Sequence, residues 1–237
     1  MKSFIYSLPI PMSLVLATTH PVVNSDQLIG VGVLVLFFFV FSALKLRLGW
    51  RTLPSVVVAV AFYLVAAAFV RLLPPAHFVA TLVVVVLLWM LVATHALVRG
   101  LPARRPEGDH ISRTGREQVV RFGILTVATV VMAFLARYLG GLAVTFPYSG
   151  TLVSFDLGRG ALDFARNFAL NSISLVVFFA AYAAVQGQMD TLLSLAVAWV
   201  AFFIASGAVL LVRRYVPVAA EAGLRWERPR ETPSTTD

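Results

Sequence analysis

The sequence predicts an all-α fold, a polytopic transmembrane bundle of about eight helices arranged as an inverted repeat. Three observations predict it. Of 237 residues, 59% are hydrophobic and only 13% are charged. The apolar residues fall in runs near the roughly 20 residues a helix needs to cross hydrocarbon. The basic residues gather in alternate connections between those runs, the pattern that orients membrane proteins.

A soluble domain carries closer to a quarter charged residues, so water is the wrong solvent for most of this surface. The net charge of +8 raises nucleic acid as a partner. The arginines sit in short segments between apolar runs rather than on one face, so no nucleic-acid partner is expected and the lipid bilayer is. There is no cysteine, which removes disulfides and thiolate metal sites.

The predicted spans, in order, are Ser3–Thr18, Gln27–Leu46, Leu53–Leu73, Ala76–Val98, Val119–Arg137, Gly141–Asp156, Ala165–Val185 and Thr191–Val212. The first follows Lys2 and contains Pro9 and Pro11, with no small-x-small cleavage site after it, so it is read as a retained span and not a signal peptide. The first and sixth are short and proline-bearing, which leaves a re-entrant half-helix as the other reading of each. Charge separates the readings. Lys45, Arg47 and Arg51 share one loop, Arg99 to Arg121 supply six arginines to the next long one, and Arg213, Arg214, Arg225, Arg228 and Arg230 lie in the tail. The Thr19–Asp26 and Gln186–Asp190 connections carry no Lys or Arg. All basic segments share one side only if every span crosses, which places both termini in the cytoplasm. The domains are then 1–98 as a first membrane unit, 99–118 as a basic loop, 119–213 as a second unit and 214–237 as a disordered tail.

The two units look alike. Leu8-Pro-Ile-Pro-Met-Ser-Leu-Val-Leu-Ala17 pairs with Phe146-Pro-Tyr-Ser-Gly-Thr-Leu-Val-Ser154 when Pro11 is set on Pro147, Ser13 on Ser149 and Thr18 on Ser154. A Phe-rich helix follows each, with Phe37-Phe-Phe39 against Phe178-Phe179. One ends in a basic loop and the other in a neutral turn, so the units face opposite ways across the bilayer. The counterpart of the fifth span would fall upstream of Met1, so either the first unit has lost that helix or the true start lies earlier.

The stretch Gly140-Gly-Leu-Ala-Val-Thr-Phe-Pro-Tyr-Ser-Gly-Thr-Leu-Val-Ser154, with Gly158-Arg159-Gly160 and Arg166 after it, resembles the small bacterial inner-membrane proteins of the GlpM type. The resemblance covers about Glu117–Leu211, and the first half enters only through the repeat. It implies four-helix units in a bacterial cytoplasmic membrane and a link to exopolysaccharide production.

Chemistry-bearing residues are few. Proline in a membrane helix frees backbone carbonyls for a ligand, a hydroxyl or water. Pro147 with Ser149, Thr151 and Ser154 therefore forms one candidate substrate-binding stretch, a packing kink being its structural alternative. Asn167, Asn171 and Ser174 share a helix face and form a second; there the alternative is helix–helix glue. Asp156 and Arg166 are candidate gate residues at the turn between, otherwise ordinary interfacial charges, as are Arg159 and Asp163. His77 and His95 have no second ligand at metal spacing, so no metal site is expected, and no cofactor. No catalytic residues are assigned: zinc-protease, nucleophile-elbow, Walker and aspartate-rich motifs are missing, and His20 with Asp26 lacks a nucleophile. The reading is a transporter-like protein for a small molecule, with a homodimer or a membrane complex as its possible assembly. Its rival is a non-catalytic subunit of an envelope or exopolysaccharide system.

Overall fold

The computed structural model describes residues 8–19, 22–72, 74, 76–98, 142, 144–147, 151, 154 and 160–226, with side chains to residue 94 in the fourth helix and 212 in the last. Six helices are named in chain order: α1 Ile10–Thr19, α2 Ser25–Leu46, α3 Thr52–Leu72, α4 Phe78–Val98, α5 Ala161–Val185 and α6 Thr191–Trp226. Val83 to Val86 would favour strand in water, yet they lie inside α4. In hydrocarbon a backbone must satisfy its own N–H and C=O groups, and only a helix does so within one segment.

The start of α2 is set by Asn24. Its side-chain oxygen accepts the Asp26 N–H at 2.9 Å, and the Gln27 side-chain oxygen accepts the Asn24 N–H at 2.8 Å, a reciprocal cap. The apolar run predicts Gln27 as the first residue; the cap moves the start to Ser25. Asp26 is thereby in the first turn of α2, paired with Arg71 at 3.6 Å.

The centre is an antiparallel pair, α2 against α5. Val23 meets Gln186 at one end, and Phe38 packs on Phe164 and Phe168 toward the other, with ring centroids 5.1 and 4.5 Å apart. Each helix then doubles back on its follower, α2 on α3 and α5 on α6, through five-residue turns. Both turns contain a glycine in the left-handed region, Gly49 at φ +67° and Gly187 at φ +82°, where an L side chain is strained. The side of α1 packs on α6, where Trp199 Nε1 donates to Ser13 Oγ at 3.0 Å. Helix α4 is tied to mid-α5 by Trp89, whose indole N–H is shared between the Ala169 and Leu170 carbonyls at 3.1 Å each.

Tyr63, Phe37, Phe41, Phe178, Phe179 and Phe202 are the largest fully buried side chains and fill the middle. Outward, α3 presents Val57, Val65 and Phe69, and α4 presents Val79, Leu87 and Leu91. Among the described residues four helices, α2, α3, α5 and the part of α6 to Val212, are long and apolar enough to cross a membrane. The described residues form a helical bundle of the kind an integral membrane protein has.

Elsewhere the expectations divide. The first predicted span is a helix from Ile10, opened by Pro9, whose carbonyl accepts the Ser13 N–H at 2.8 Å. The fifth, Val119–Arg137, lies outside the described residues; the sixth is seen at Leu142, 144–147, Thr151 and Ser154. Helix α6 continues to Trp226, so 214–226 are helical where the charge-rich composition predicts a disordered tail. Val218-Ala-Ala-Glu-Ala222 carries good helix formers and extends a helix already nucleated.

Candidate functional site

Three polar constellations lie within the bundle. The first surrounds the proline-opened segment at 142–154. The Pro147 carbonyl accepts the Thr151 N–H at 2.9 Å, so proline sits where a helix begins and its missing N–H costs nothing. Just before it, Thr145 Oγ1 donates to the Leu142 carbonyl at 3.1 Å, and Tyr63 Oη on α3 meets Thr145 Oγ1 at 2.9 Å and the Leu142 carbonyl at 3.0 Å. The Phe146 ring stands edge-on to Tyr63, 5.5 Å between centroids. Gly30 of α2 admits this knot: a Cβ there would lie 2.1 Å from Thr145 Oγ1. Leu142, Thr145, Phe146 and Tyr63 are all buried. The segment therefore uses its freed polar groups on Tyr63 and on itself.

Within this stretch Pro147, Thr151 and Ser154 are buried, with Thr151 and Ser154 helical; Ser149 and the gate candidate Asp156 lie outside the described residues. The other gate candidate, Arg166, is exposed in the second turn of α5, and Asp163 is half-buried in the first.

The second constellation is the α5 face. Asn171 and Ser174 are buried and Asn167 is half-buried. Ser172, one residue on, turns back to the Ala169 carbonyl at 2.7 Å, the same carbonyl that Trp89 reaches. Mid-α5 thus concentrates side-chain amides, hydroxyls and doubly used carbonyls where the surrounding core is aromatic.

The third lies at the end of the bundle beside the Gln186–Asp190 turn. Gln186 caps α5, and its side-chain amide holds Val23 as a neighbouring strand would: Oε1 accepts the Val23 N–H at 2.8 Å and Nε2 donates to the Val23 carbonyl at 2.7 Å. This clasp joins the connection before α2 to the end of α5. One turn inward, Gln27 is wholly buried. Its oxygen is taken by the cap of α2, and its Nε2 has no acceptor among the described residues. Ser174 Oγ and Ser194 Oγ are likewise buried without a hydrogen-bond partner among the described residues. An unmet polar group costs several kcal/mol in hydrocarbon, on the order of 4–8.

Sequence reading singled out Pro147, Thr151, Ser154, Asn167, Asn171 and Ser174 but passed over Tyr63, Gly30, Thr145, Gln27, Gln186 and Ser194. Asn24-x-x-Gln27 is a capping signature, so the cap was legible. The clasp was not, because Gln186 and Val23 are 163 residues apart. Among the described residues no three His, Asp or Glu side chains gather where one metal ion would sit. A scan of family models and searches of curated proteins and solved structures found nothing that matches this chain.

Proposed function

We propose that the chain is a transporter-like protein of two inverted units, about eight spans in all, that moves a small molecule across a bacterial cytoplasmic membrane. The observation that carries this reading is an exchange of partners. The proline-opened helix of the first unit, α1, packs on α6 of the second through Ser13 and Trp199. The proline-opened segment of the second unit packs on α3 of the first through Tyr63. Such a swap is what a two-fold relation between units produces.

Further agreements support it. Thr52-Leu-Pro-Ser-Val56 and Thr191-Leu-Leu-Ser-Leu195 open α3 and α6 after turns of equal length. The buried residues of α3, namely Ser55, Val56, Ala59, Tyr63 and Ala67, fall opposite buried Ser194, Leu195, Ala198, Phe202 and Ser206. The corresponding helices α2 and α5 run antiparallel, as equivalents in an inverted repeat must. The Pro9 and Pro147 carbonyls play the same part, so the register shifts by two from the sequence pairing. Ser7-Leu-Pro9 then falls on Thr145-Phe-Pro147, and Ser13-Leu-Val15 on Thr151-Leu-Val153. Transporters of this design hold substrate near the midplane where the units meet, the depth of Asn171 and Ser174 on α5. The GlpM-like stretch is a proposed kinship of the second unit and of its bacterial inner-membrane setting.

Flux into proteoliposomes tests the reading. Asn171→Leu is expected to abolish uptake of the transported solute with the folded protein still monodisperse in detergent. Uptake undiminished in Asn171→Leu would take Asn171 out of the path, whereas co-purification with a larger complex and no flux at all favours the subunit reading instead.

A further inference from the structure

The connection between α2 and α3 reads Lys45-Leu-Arg-Leu-Gly-Trp-Arg-Thr-Leu53, cations interleaved with apolar side chains. Leu46, Leu48, Trp50 and Leu53 are between 41% and 61% exposed. A stretch of this kind suits the boundary where headgroups meet acyl chains: leucine and tryptophan enter the apolar layer while cations face phosphates. The backbone folds back on the end of α2. The Arg47 N–H bonds the Ala43 carbonyl at 2.9 Å, and the Trp50 N–H bonds the Leu44 carbonyl at 3.2 Å. Three cations are thereby held together at one end of the α2–α3 hairpin.

Their counter-ions are the point at issue. Lys45 is half-buried; its Nζ donates to Thr52 Oγ1 at 2.6 Å and lies 5.8 Å from the centre of the Phe41 ring. A hydroxyl and a ring fix the ammonium without neutralising it, and an ammonium has three N–H groups to place. Among the described residues the only ion pair is Arg71 with Asp26, at the other end of α2. The packing of Phe38 on Phe164 brings the start of α5, with Asp163 and Arg166, to the Lys45 end. Asp163 pairs with none of Lys45, Arg47 and Arg51. Arg47 and Arg51 are exposed.

The α5–α6 turn is an internal control. It has the same length and the same left-handed glycine but no basic residue. Thr191 opens α6 as Thr52 opens α3, yet it is hydrogen-bonded with Tyr182 and not with a cation. Asp190 spends its carboxylate on the Leu193 N–H at 2.8 Å. The hairpin therefore closes without cations, and those of the first turn are free for another task.

We propose that the Lys45–Leu53 turn binds the phosphate of one anionic phospholipid of the phosphatidylglycerol class. Lys45 supplies a fixed point charge, Arg47 and Arg51 supply planar forks for the phosphate oxygens, and Leu46, Leu48, Trp50 and Leu53 lie against the acyl chains. The exposed apolar side chains between the cations favour a lipid over a free phosphate. A zwitterionic headgroup would bring its own cation to a place already holding three. The site does not depend on whether the chain transports anything.

Native mass spectrometry of the purified full chain in detergent, titrated with phosphatidylglycerol, tests this. A saturable adduct is expected, with phosphatidylcholine far weaker. The Arg47 and Arg51 side chains hold no protein partner among the described residues, so Arg47→Gln and Arg51→Gln should keep the wild-type Tm. Each should raise Kd for phosphatidylglycerol about fivefold, the effect of one cation at a membrane surface. Lys45→Gln should weaken binding at least as much, and Lys45→Arg should restore most of it. Replacing Arg104 and Arg105 of the long central loop by Gln removes the same charge elsewhere and should leave Kd unchanged. An equal loss in that control would make the attraction diffuse and overturn the site. So would phosphatidylcholine binding as tightly, or wild-type protein with no phosphatidylglycerol adduct. Displacement of the lipid by equimolar glycerophosphoglycerol, which has the headgroup without the chains, would overturn the assignment to lipid.

Discussion

Gly30 and Thr145 are the tightest junction described. A methyl group at Gly30 would meet Thr145 Oγ1 at 2.1 Å, Cβ at 3.0 Å and Cγ2 at 3.1 Å. Thr145 has little freedom to yield, because its hydroxyl is held between Tyr63 and the Leu142 carbonyl in a fully buried setting. Gly30→Ala should therefore destabilise by about 1–3 kcal/mol, the range for overpacking a filled core. Adding Thr145→Ala removes the closest atom, so the double variant should lose less than the two single losses summed, read as Tm in detergent. Strict additivity would mean that Gly30 and Thr145 do not meet. Tyr63→Phe is the milder change at the same knot, about 1 kcal/mol, because Thr145 still bonds the Leu142 carbonyl when the phenol is gone. The sequence displays the Thr-Phe-Pro signal of this site but not its receptor, since Gly30 and Tyr63 are far away in the chain and ordinary in composition.

At the scale of elements, helix positions were legible where a charge or a turn residue bounds an apolar run. Leu46, Val98 and Val185 end α2, α4 and α5 where the runs end. Helix starts were less so. α5 begins at Ala161, four residues before the apolar run predicts, because Asp163 breaks the run without breaking the helix. Contacts between elements had no local signal at all, and the Gln186 clasp is the clearest case. It matches a donor and an acceptor to a Val23 backbone that is 2% exposed. Gln186→Ala leaves both backbone groups unmatched, a loss of about 2–4 kcal/mol if each behaves as a buried orphan. Gln186→Glu keeps the acceptor for the Val23 N–H but sets a carboxylate oxygen against the Val23 carbonyl. Amide hydrogen exchange at Val23 should be slow in the wild type and fast in Gln186→Ala. Slow exchange in Gln186→Ala would show that the connection before α2 is held by something other than the clasp.

For the whole molecule, composition alone made the membrane class legible, because 13% charged residues cannot coat a soluble surface of this size. Orientation rests on a different physical quantity, the cost of carrying arginines across the bilayer, and it makes a claim about two turns of similar construction. Gly49 and Gln188 each lie in a five-residue hairpin turn with a left-handed glycine. The first turn carries Arg47 and Arg51; the second carries no basic residue. Under the inverted arrangement α2 and α5 run in opposite directions, so their trailing turns emerge on opposite faces. The native chain has no cysteine, so single cysteines report without background. Gly49→Cys should resist a membrane-impermeant maleimide until the cell is opened, whereas Gln188→Cys should react in intact cells. Gly49 is strained for any other residue at φ +67°, so Leu48→Cys serves as its unstrained neighbour. Labelling of both turns from one side would place α2 and α5 parallel, against the Val23–Gln186 and Phe38–Phe168 pairings.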